Sequence, residues 1–259
     1  MVDRIVGAFG PRSDETIIEI GPGRGALTGR LVEKAGRVIA IEFDRELIAP
    51  LRERFQQAGN FQLLEADALD VDYCQMLAAD PAATALPMAR VVANLPYNIA
   101  TAILECLIEQ RRCLSEMVLM LQREVAGRIT ARPRSTERGF FSVLVQAYCE
   151  AEKLFEVRPG AFRPRPKVWS TVLRLRMRPA MAVPVRDEAL WRRIVSAGFS
   201  QRRKTILNNL RLAPADLRER IERRGGASIL LCEARIPPQR RAETLTLEEW
   251  AALANILVP

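Results

Sequence analysis

The sequence predicts an α/β fold, in which a doubly wound sheet is followed by a small all-helical C-terminal domain. Between residue 16 and about residue 178, short apolar segments alternate with longer amphipathic ones. The apolar segments are continuous, which is typical of parallel strands buried on both faces, and repeated strand–helix–strand units form right-handed crossovers. After residue 178 the patterns are helical. We therefore place the domain boundary between residues 1–178 and 179–259.

The first domain contains five segments with the strand pattern and four with the helical pattern. The strands are expected at residues 16–20, 37–42, 61–66, 90–95 and 116–121, and the helices at 26–35, 45–57, 99–109 and 123–130. Two further β-rich segments, 151–157 and 170–176, flank a proline-containing loop. We expect them to pair antiparallel at a sheet edge, because so short a connection cannot make a parallel crossover.

The second domain begins after a proline-containing linker at residues 177–184. Helices are expected at residues 187–199, 202–210, 214–224 and 247–257. Thr246 followed by Glu248 and Glu249 is a helix start signal for the last of them. A short apolar segment at 228–232 is a weak strand candidate.

The composition excludes several classes of function. The 259 residues carry a net charge of +8 and contain no histidine, which excludes a Ser-His-Asp triad, a Cys-His nucleophile and a histidine-bound metal. The five cysteines lack C-x-x-C spacing, so we expect reduced thiols and no metal site. No segment is typical of a signal peptide or a membrane span. We therefore expect a cytoplasmic protein with no membrane partner, and the excess of positive charge favours a polyanionic one.

A glycine-rich turn and two acidic residues predict an adenosine pocket. Gly21 and Gly23 follow the first strand and, with Ala26, match the G-x-G-x-x-G/A spacing of dinucleotide-binding turns. Glu42 ends the second strand and is placed to accept hydrogen bonds from ribose hydroxyls. Asp67 follows the third strand and is placed to accept one from an adenine amino group. NAD and S-adenosylmethionine fit this pattern equally well.

The Asn94-Leu95-Pro96-Tyr97 turn decides between the two cofactors. The Asn94 side-chain oxygen and the Leu95 carbonyl are placed to accept two hydrogen bonds from one exocyclic amino group. Pro96 fixes the turn, and Tyr97 offers a ring face for a purine. This arrangement favours transfer to an amine over hydride transfer.

Together with the glycine turn, this motif resembles the small-subunit (16S) ribosomal RNA adenine N6,N6-dimethyltransferase family. Three more segments, at residues 121–128, 159–168 and 199–210, resemble the family's Gln-Lys/Arg-Glu-Val turn, its Pro-x-x-Phe-x-Pro-x-Pro-Lys-Val loop and its Phe-x-Gln-Arg-Arg-Lys-Thr helix. The match covers essentially the whole chain. It implies a Rossmann-like S-adenosylmethionine-dependent methyltransferase sheet and a helical RNA-binding domain. The implied partner is 16S ribosomal RNA within the small ribosomal subunit, and we expect a monomer.

The resemblance also implies roles for individual residues. Those expected at the cofactor are Gly21, Gly23, Glu42, Asp67, Ala68 and Asn94. Those expected at the target adenine are Asn94, Leu95, Pro96, Tyr97 and Phe162. The reaction needs orientation and hydrogen-bond acceptors rather than an imidazole base, because the methylated amine is acidic enough to lose its proton to water.

Two basic stretches without acidic residues favour contact with RNA phosphates. The stretch from Val157 to Arg186 has eight basic residues, and the stretch from Ala189 to Ala215 has six. Within them we expect RNA contacts at Arg163, Arg165, Lys167, Arg202, Arg203 and Lys204.

The sequence departs from the family at its beginning. Family members have a basic segment with Gln-Asn-Phe-Leu before the first helix, whereas this sequence starts at the position that matches the middle of that helix. We expect a segment needed for full activity to be absent from it. Alternative readings are a large-subunit adenine dimethylase of the antibiotic-resistance type, a DNA adenine N6-methyltransferase, and a non-catalytic ribosome-assembly or transcription factor on the same fold.

Overall fold

The computed structural model describes residues 1–79, 88–96, 99–161 and 167–258, and its centre is a seven-stranded sheet in the order β3-β2-β1-β4-β5-β7-β6. The strands are β1 Thr16–Ile20, β2 Arg37–Glu42, β3 Phe61–Glu65, β4 Ala89–Asn94, β5 Leu114–Gln122, β6 Cys149–Val157 and β7 Ser170–Met177. The first five are parallel along the ladder, and β7 pairs antiparallel with β5. The predicted strands are confirmed, and β6 and β7 are neighbours at one edge.

The strand order changes direction at β1, which lies between β2 and β4. In open α/β sheets, ligands bind outside the carboxyl ends of the strands at such a switch point. Glu42 is paired with Glu65, and Asn94 with Met120, in the last registers of their ladders. The ends of β1, β2, β3 and β4 therefore form one edge, which carries all the predicted cofactor residues.

Helices connect the strands and fill the C-terminal part of the chain. In the described residues they are α1 Val2–Phe9, α2 Thr28–Val32, α3 Arg45–Phe55, α4 Tyr73–Ala78, α5 Ala100–Glu109, α6 Arg123–Thr130, α7 Phe140–Tyr148, α8 Glu188–Gly198, α9 Ile206–Arg211, α10 Ala215–Arg223, α11 Ala227–Glu233 and α12 Leu247–Leu257. As predicted, Thr246 caps α12, by accepting a hydrogen bond from Glu249 N.

Two expectations for the C-terminal part were wrong or imprecise. The strand expected at 228–232 is helix α11, because Ala227, Leu230 and Leu231 are buried at helical spacing while Ile229 is exposed. Helix α9 begins at Ile206 rather than at residue 202, since Thr205 accepts a hydrogen bond from Asn208 N and forms the N-cap. Helices α4 and α7, in the part of the chain before residue 178, were not predicted.

Contacts between Cα atoms divide the chain into two compact units. Residues 1–126 and 150–177 form the sheet unit, and residues 127–149 and 178–258 belong to the helical unit. The sheet unit ends close to the predicted boundary at residue 178, but α7 belongs with the helical tail, where it packs on α8. The linear division into residues 1–178 and 179–259 stays a prediction.

Helix α1 is fixed to the sheet by apolar and ionic contacts. Ile5 and Phe9 pack in the same core cluster as residues of β1 and β4. Arg90 on β4 donates to the carbonyls of Phe9 and Gly10 at the end of α1. Its other partners are the carboxylates of Glu15, at 2.8 Å, and Glu116, at 2.6 Å. Glu116 also pairs with Arg174 and Arg176 on β7 at 3.4 Å, so one carboxylate joins β4, β5 and β7.

The expectation of five reduced thiols was wrong. Cys74 at the start of α4 and Cys113 before β5 form a disulfide with a Cα–Cα distance of 5.4 Å. The sequence separation of 39 residues gave no signal for this pair, since only the packing of α4 beside the segment before β5 brings the two residues together. Cys106, Cys149 and Cys232 are not part of a disulfide.

Replacing Glu116 by alanine should lower the free energy of unfolding by about 2–3 kcal/mol, because Arg90 and Arg174 would lose a carboxylate partner in a largely buried setting. Their side chains are only 14% and 18% exposed. The measurement is urea denaturation. As a control, Glu33→Ala removes the exposed Glu33–Arg30 pair and should change the value by less than about 0.5 kcal/mol. Equal losses in the two variants would contradict the assignment.

Candidate functional site

The glycine turn after β1 forms the centre of the candidate site. Gly21, Gly23 and Gly25 have φ angles of +67°, +60° and +74°, a region that other residues rarely adopt. A Cβ atom built at Gly21 or Gly23 would meet no protein atom within 4 Å. The two glycines are therefore required by backbone conformation and not by protein packing, and they leave open space beside the turn.

Glu42, at the end of β2, holds this turn in place. One of its carboxylate oxygens accepts a hydrogen bond from Gly23 N at 3.1 Å, and the other accepts from the backbone N of Phe43 and of Asp44, both at 3.0 Å. The carboxylate is buried. Three backbone donors thus fix its position between the ends of β1 and β2, where it borders the open space at Gly23.

Asp67 and Ala68 follow β3 on the next strand of the same edge. One carboxylate oxygen of Asp67 accepts from Leu69 N at 2.9 Å, and the carbonyl of Ala68 accepts from the Tyr73 hydroxyl at 2.8 Å. Tyr73 is fully buried, and burial raises the pKa of its phenol. The hydroxyl therefore stays protonated and anchors the backbone at Ala68.

Asn94 and Leu95 lie on the other side of the glycine turn, at the end of β4. Asn94 is exposed, and within the described residues its side chain has no hydrogen-bond partner. Leu95 N donates to the Met120 carbonyl, and the Leu95 side chain is buried, which fixes the backbone at this point. Ile99 N donates to the Pro96 carbonyl at 3.3 Å and closes the turn. Tyr97, predicted to stack on the target adenine, lies outside the described residues.

Sequence reasoning missed two features of this edge. Phe43 follows Glu42 directly, and its side chain is 72% exposed next to the carboxylate. An apolar residue between the strand-end acid and the helix cap Asp44 was the available signal. The second feature is Glu19, which is buried on β1 and accepts a hydrogen bond from the Thr28 hydroxyl at 2.6 Å. A lone acidic residue in an apolar strand was the signal for it.

The structure describes four of the six predicted RNA-contacting residues. Phe162, Arg163 and Arg165 lie outside the described residues. Lys167 is exposed at the end of the same loop. Arg202, Arg203 and Lys204 form an exposed turn before α9, which the buried Asn209 side chain holds by donating to the carbonyls of Gly198 and Gln201.

The basic stretch from Val157 to Arg186 is not free of acidic partners in space. Arg174 and Arg176 both pair with Glu116 and with Glu152. These two arginines stabilise the sheet and are not available to phosphates, so the sequence count overstated the charge available to RNA. In the part of the chain that the structure describes, no helix is long and apolar enough to cross a bilayer.

Comparisons with known proteins agree with this geometry. The profile of the family described as ribosomal RNA adenine dimethylase matches residues 1–253. A protein named ribosomal RNA small subunit methyltransferase A from Xanthomonas campestris pv. campestris is 41% identical over 257 residues, which are 98% of this chain and 90% of that protein. The protein of the same name from Xanthomonas oryzae pv. oryzae is 40% identical with the same coverage.

Two solved structures are similar over nearly the whole chain. A dimethyladenosine transferase from Plasmodium falciparum has a TM-score of 0.77 at 22% identity, with 97% of this chain and 93% of that chain covered. The 23S rRNA methyltransferase ErmE has a TM-score of 0.69 at 25% identity, with 99% and 96% covered. The predicted Rossmann-like methyltransferase sheet with a helical C-terminal part is therefore confirmed.

Replacing Glu19 by glutamine should remove a pH dependence of stability. Burial raises the pKa of Glu19 from 4.5 to about 7, with the Thr28 hydrogen bond opposing and the charge of Glu42 adding to the effect. Between these two pH values the folded protein binds more protons than the unfolded chain, so its stability falls as pH rises. The loss should be on the order of 3 kcal/mol above pH 7.

The measurement is urea denaturation of both proteins from pH 4.5 to 8. The wild-type protein should lose stability relative to Glu19→Gln across this range, whereas Glu33→Gln, at an exposed position, should keep the wild-type slope. Parallel curves for wild type and Glu19→Gln would show that Glu19 is ionised throughout.

Proposed function

The chain belongs to the ribosomal RNA adenine dimethylase family, and on that premise we propose that it dimethylates N6 of adjacent adenosines in small-subunit (16S) ribosomal RNA during ribosome assembly, with S-adenosylmethionine as the methyl donor. One observation supports this most strongly. Asp67, Glu42, the glycine turn and Asn94 lie at the carboxyl ends of β3, β2, β1 and β4, which are consecutive in the sheet. The residues assigned to the cofactor and to the target adenine thus lie side by side in one row.

The residues at β1, β2 and β3 fit S-adenosylmethionine. The space beside Gly21 and Gly23 is open, so a ligand can approach the backbone closely. Glu42 is held by three backbone donors in an orientation suited to ribose hydroxyls. Only one Asp67 carboxylate oxygen has a partner among the described residues, which leaves the other for an adenine amino group. The exposed ring of Phe43 offers an apolar face to the same base.

The residues at β4 fit an adenine amino group. The Asn94 side-chain oxygen and the Leu95 carbonyl have no donors among the described residues, and each can accept one of the two N–H groups of N6. Accepting both favours a pyramidal nitrogen whose lone pair points away from the acceptors. By resemblance to the family, Tyr97 and Phe162 would stack on the same adenine.

The chemistry assigned to this chain is binding and orientation. When bound, S-adenosylmethionine supplies an electrophilic methyl group. Asn94 and Leu95 orient the amine, and the methylated nitrogen is acidic enough to release its proton to water, so no imidazole base is needed. For the second methylation, a monomethylated amine still has one N–H for these acceptors.

The 41% identity to proteins named for the small subunit favours the small-subunit target over the large-subunit alternative, since the similarity to the 23S enzyme is 25%. A ribosomal substrate also implies a cytoplasmic location. We further propose that the chain acts as a monomer and that the exposed turn of Arg202, Arg203 and Lys204, together with Lys167, contacts RNA phosphates.

Replacing Asn94 by alanine should lower the rate of methyl transfer by about 10²–10³-fold, because the amine loses an orienting acceptor. The assay measures methyl transfer to small ribosomal subunits that lack the modification, at saturating S-adenosylmethionine, with mass spectrometry to identify dimethyladenosine. Gln57→Ala truncates an exposed amide beyond the end of α3 and should leave the rate unchanged. RNA binding by the wild-type chain without any methyl transfer would favour the non-catalytic alternative.

Replacing Gly23 by alanine should weaken S-adenosylmethionine binding about tenfold or more, because the new Cβ enters the space beside the turn. The matched control is Gly10→Ala, since Gly10 has a similar φ of +63° and equally open surroundings at the end of α1. Both variants should lose about 1–2 kcal/mol of stability from the left-handed backbone. Calorimetric titration should show a loss of affinity for Gly23→Ala alone, and equal affinities would exclude the turn from the cofactor site.

A further inference from the structure

Trp169 is the exposed tryptophan of a chain that has three. Its side chain is 37% exposed, whereas Trp191 and Trp250 are completely buried. Its backbone is held firmly, because the Trp169 carbonyl accepts a hydrogen bond from Arg123 N at 2.9 Å and the next residue, Ser170, pairs with Gln122. A large aromatic ring is thus partly exposed next to a strand end whose backbone is hydrogen-bonded.

Two cations accompany this ring. The Arg158 guanidinium lies 5.8 Å from the centroid of the Trp169 ring, which is within the range of a cation–π contact. Arg158 is exposed and has no carboxylate partner among the described residues, and Lys167 is exposed two positions before Trp169. The acid on the same β6 strand end, Glu156, is paired with Lys153, which lowers its pKa. The cations at Trp169 therefore remain available for a polyanion.

The position of Trp169 relates it to the target site. Asn94 pairs with Met120 on β5, and two residues further along, Gln122 pairs with Ser170. With strands about 4.8 Å apart and about 3.3 Å per residue, Trp169 lies roughly 10–15 Å from Asn94, at the same end of the sheet. This distance is within the span of a single-stranded RNA that covers a few nucleotides.

We propose that Trp169 and Arg158 form a stacking platform for an RNA base that flanks the target adenine, with Lys167 contacting a neighbouring phosphate. An exposed aromatic ring beside exposed cations matches both parts of a nucleotide, since the base stacks on the ring and the phosphate pairs with the cation. This inference rests on the proposed function, because it takes RNA as the substrate. It adds a contact outside the adenine pocket that determines how the strand is positioned.

Tryptophan fluorescence tests the contact directly, because only Trp169 is accessible to solvent. The probe is an in vitro transcribed fragment of small-subunit ribosomal RNA that carries the adjacent target adenines. Binding of this RNA should quench the emission and protect it from acrylamide. The variant Trp169→Phe should lack the RNA-dependent quenching, while the emission of Trp191 and Trp250 reports that the fold is intact.

Affinity for the same RNA gives a second readout. Trp169→Ala should weaken binding about 5- to 150-fold, in line with the stacking of one base, and Trp169→Phe should retain most of the affinity. Arg158→Ala should have a smaller effect, and Lys34→Ala, which removes an exposed cation after α2, should have none. Affinity for S-adenosylmethionine should be unchanged in all four variants.

Unchanged quenching and unchanged RNA affinity in Trp169→Ala would overturn the platform while leaving the proposed function intact, provided that the wild-type chain methylates the RNA. Normal affinity for RNA with weakened binding to assembled small subunits would also overturn it, in favour of a contact with a ribosomal protein. If the wild-type chain neither binds nor methylates RNA, the proposed function itself fails.

Discussion

The carboxylate of Glu42 is the contact on which the candidate site depends. It accepts hydrogen bonds from Gly23 after β1 and from two backbone groups after β2, so it joins the ends of two neighbouring strands. The left-handed conformation of the turn strongly favours glycine, and Glu42 holds the turn there. Because the carboxyl ends of parallel strands lie at one edge, Asp67 and Asn94 then fall in line on either side. This buried carboxylate thus fixes the glycine turn, which lies between the two proposed binding regions.

A second carboxylate, Glu116, has the corresponding role elsewhere in the sheet unit. It joins β4, β5 and β7 through three arginines, and Arg90 extends this network to the end of α1. These ion pairs also distinguish arginines that stabilise the fold from an arginine that is available to RNA. Arg174 and Arg176 are neutralised and serve the fold, whereas Arg158 has no carboxylate partner among the described residues. Charge available for RNA is therefore decided by which arginines meet an acid in space, and a count along the sequence does not reveal it.

Much of the sheet could be predicted from the sequence, because parallel strands buried on both faces are continuous apolar segments and differ clearly from amphipathic helices. The candidate cofactor residues could be predicted for the same reason, since each follows a recognisable strand. The prediction failed where local pattern and packing diverge. Residues 228–232 have strand-like composition, yet burial at helical spacing makes them part of α11. Phe43 was overlooked because its exposure is a property of the folded strand end and not of its neighbours in sequence.

The sequence by itself determined the strand–helix alternation, the glycine turn with its two acids, and the Asn94-Leu95-Pro96-Tyr97 motif, because these depend on residues that are adjacent in the chain. Only the tertiary structure decided the Cys74–Cys113 disulfide, the pairing of Glu116 with three arginines, the grouping of α7 with the helical unit, and the exposure of Trp169 beside Arg158. Each of these depends on residues far apart in the chain. Their distance is set by strand order and helix packing, which local sequence patterns do not encode.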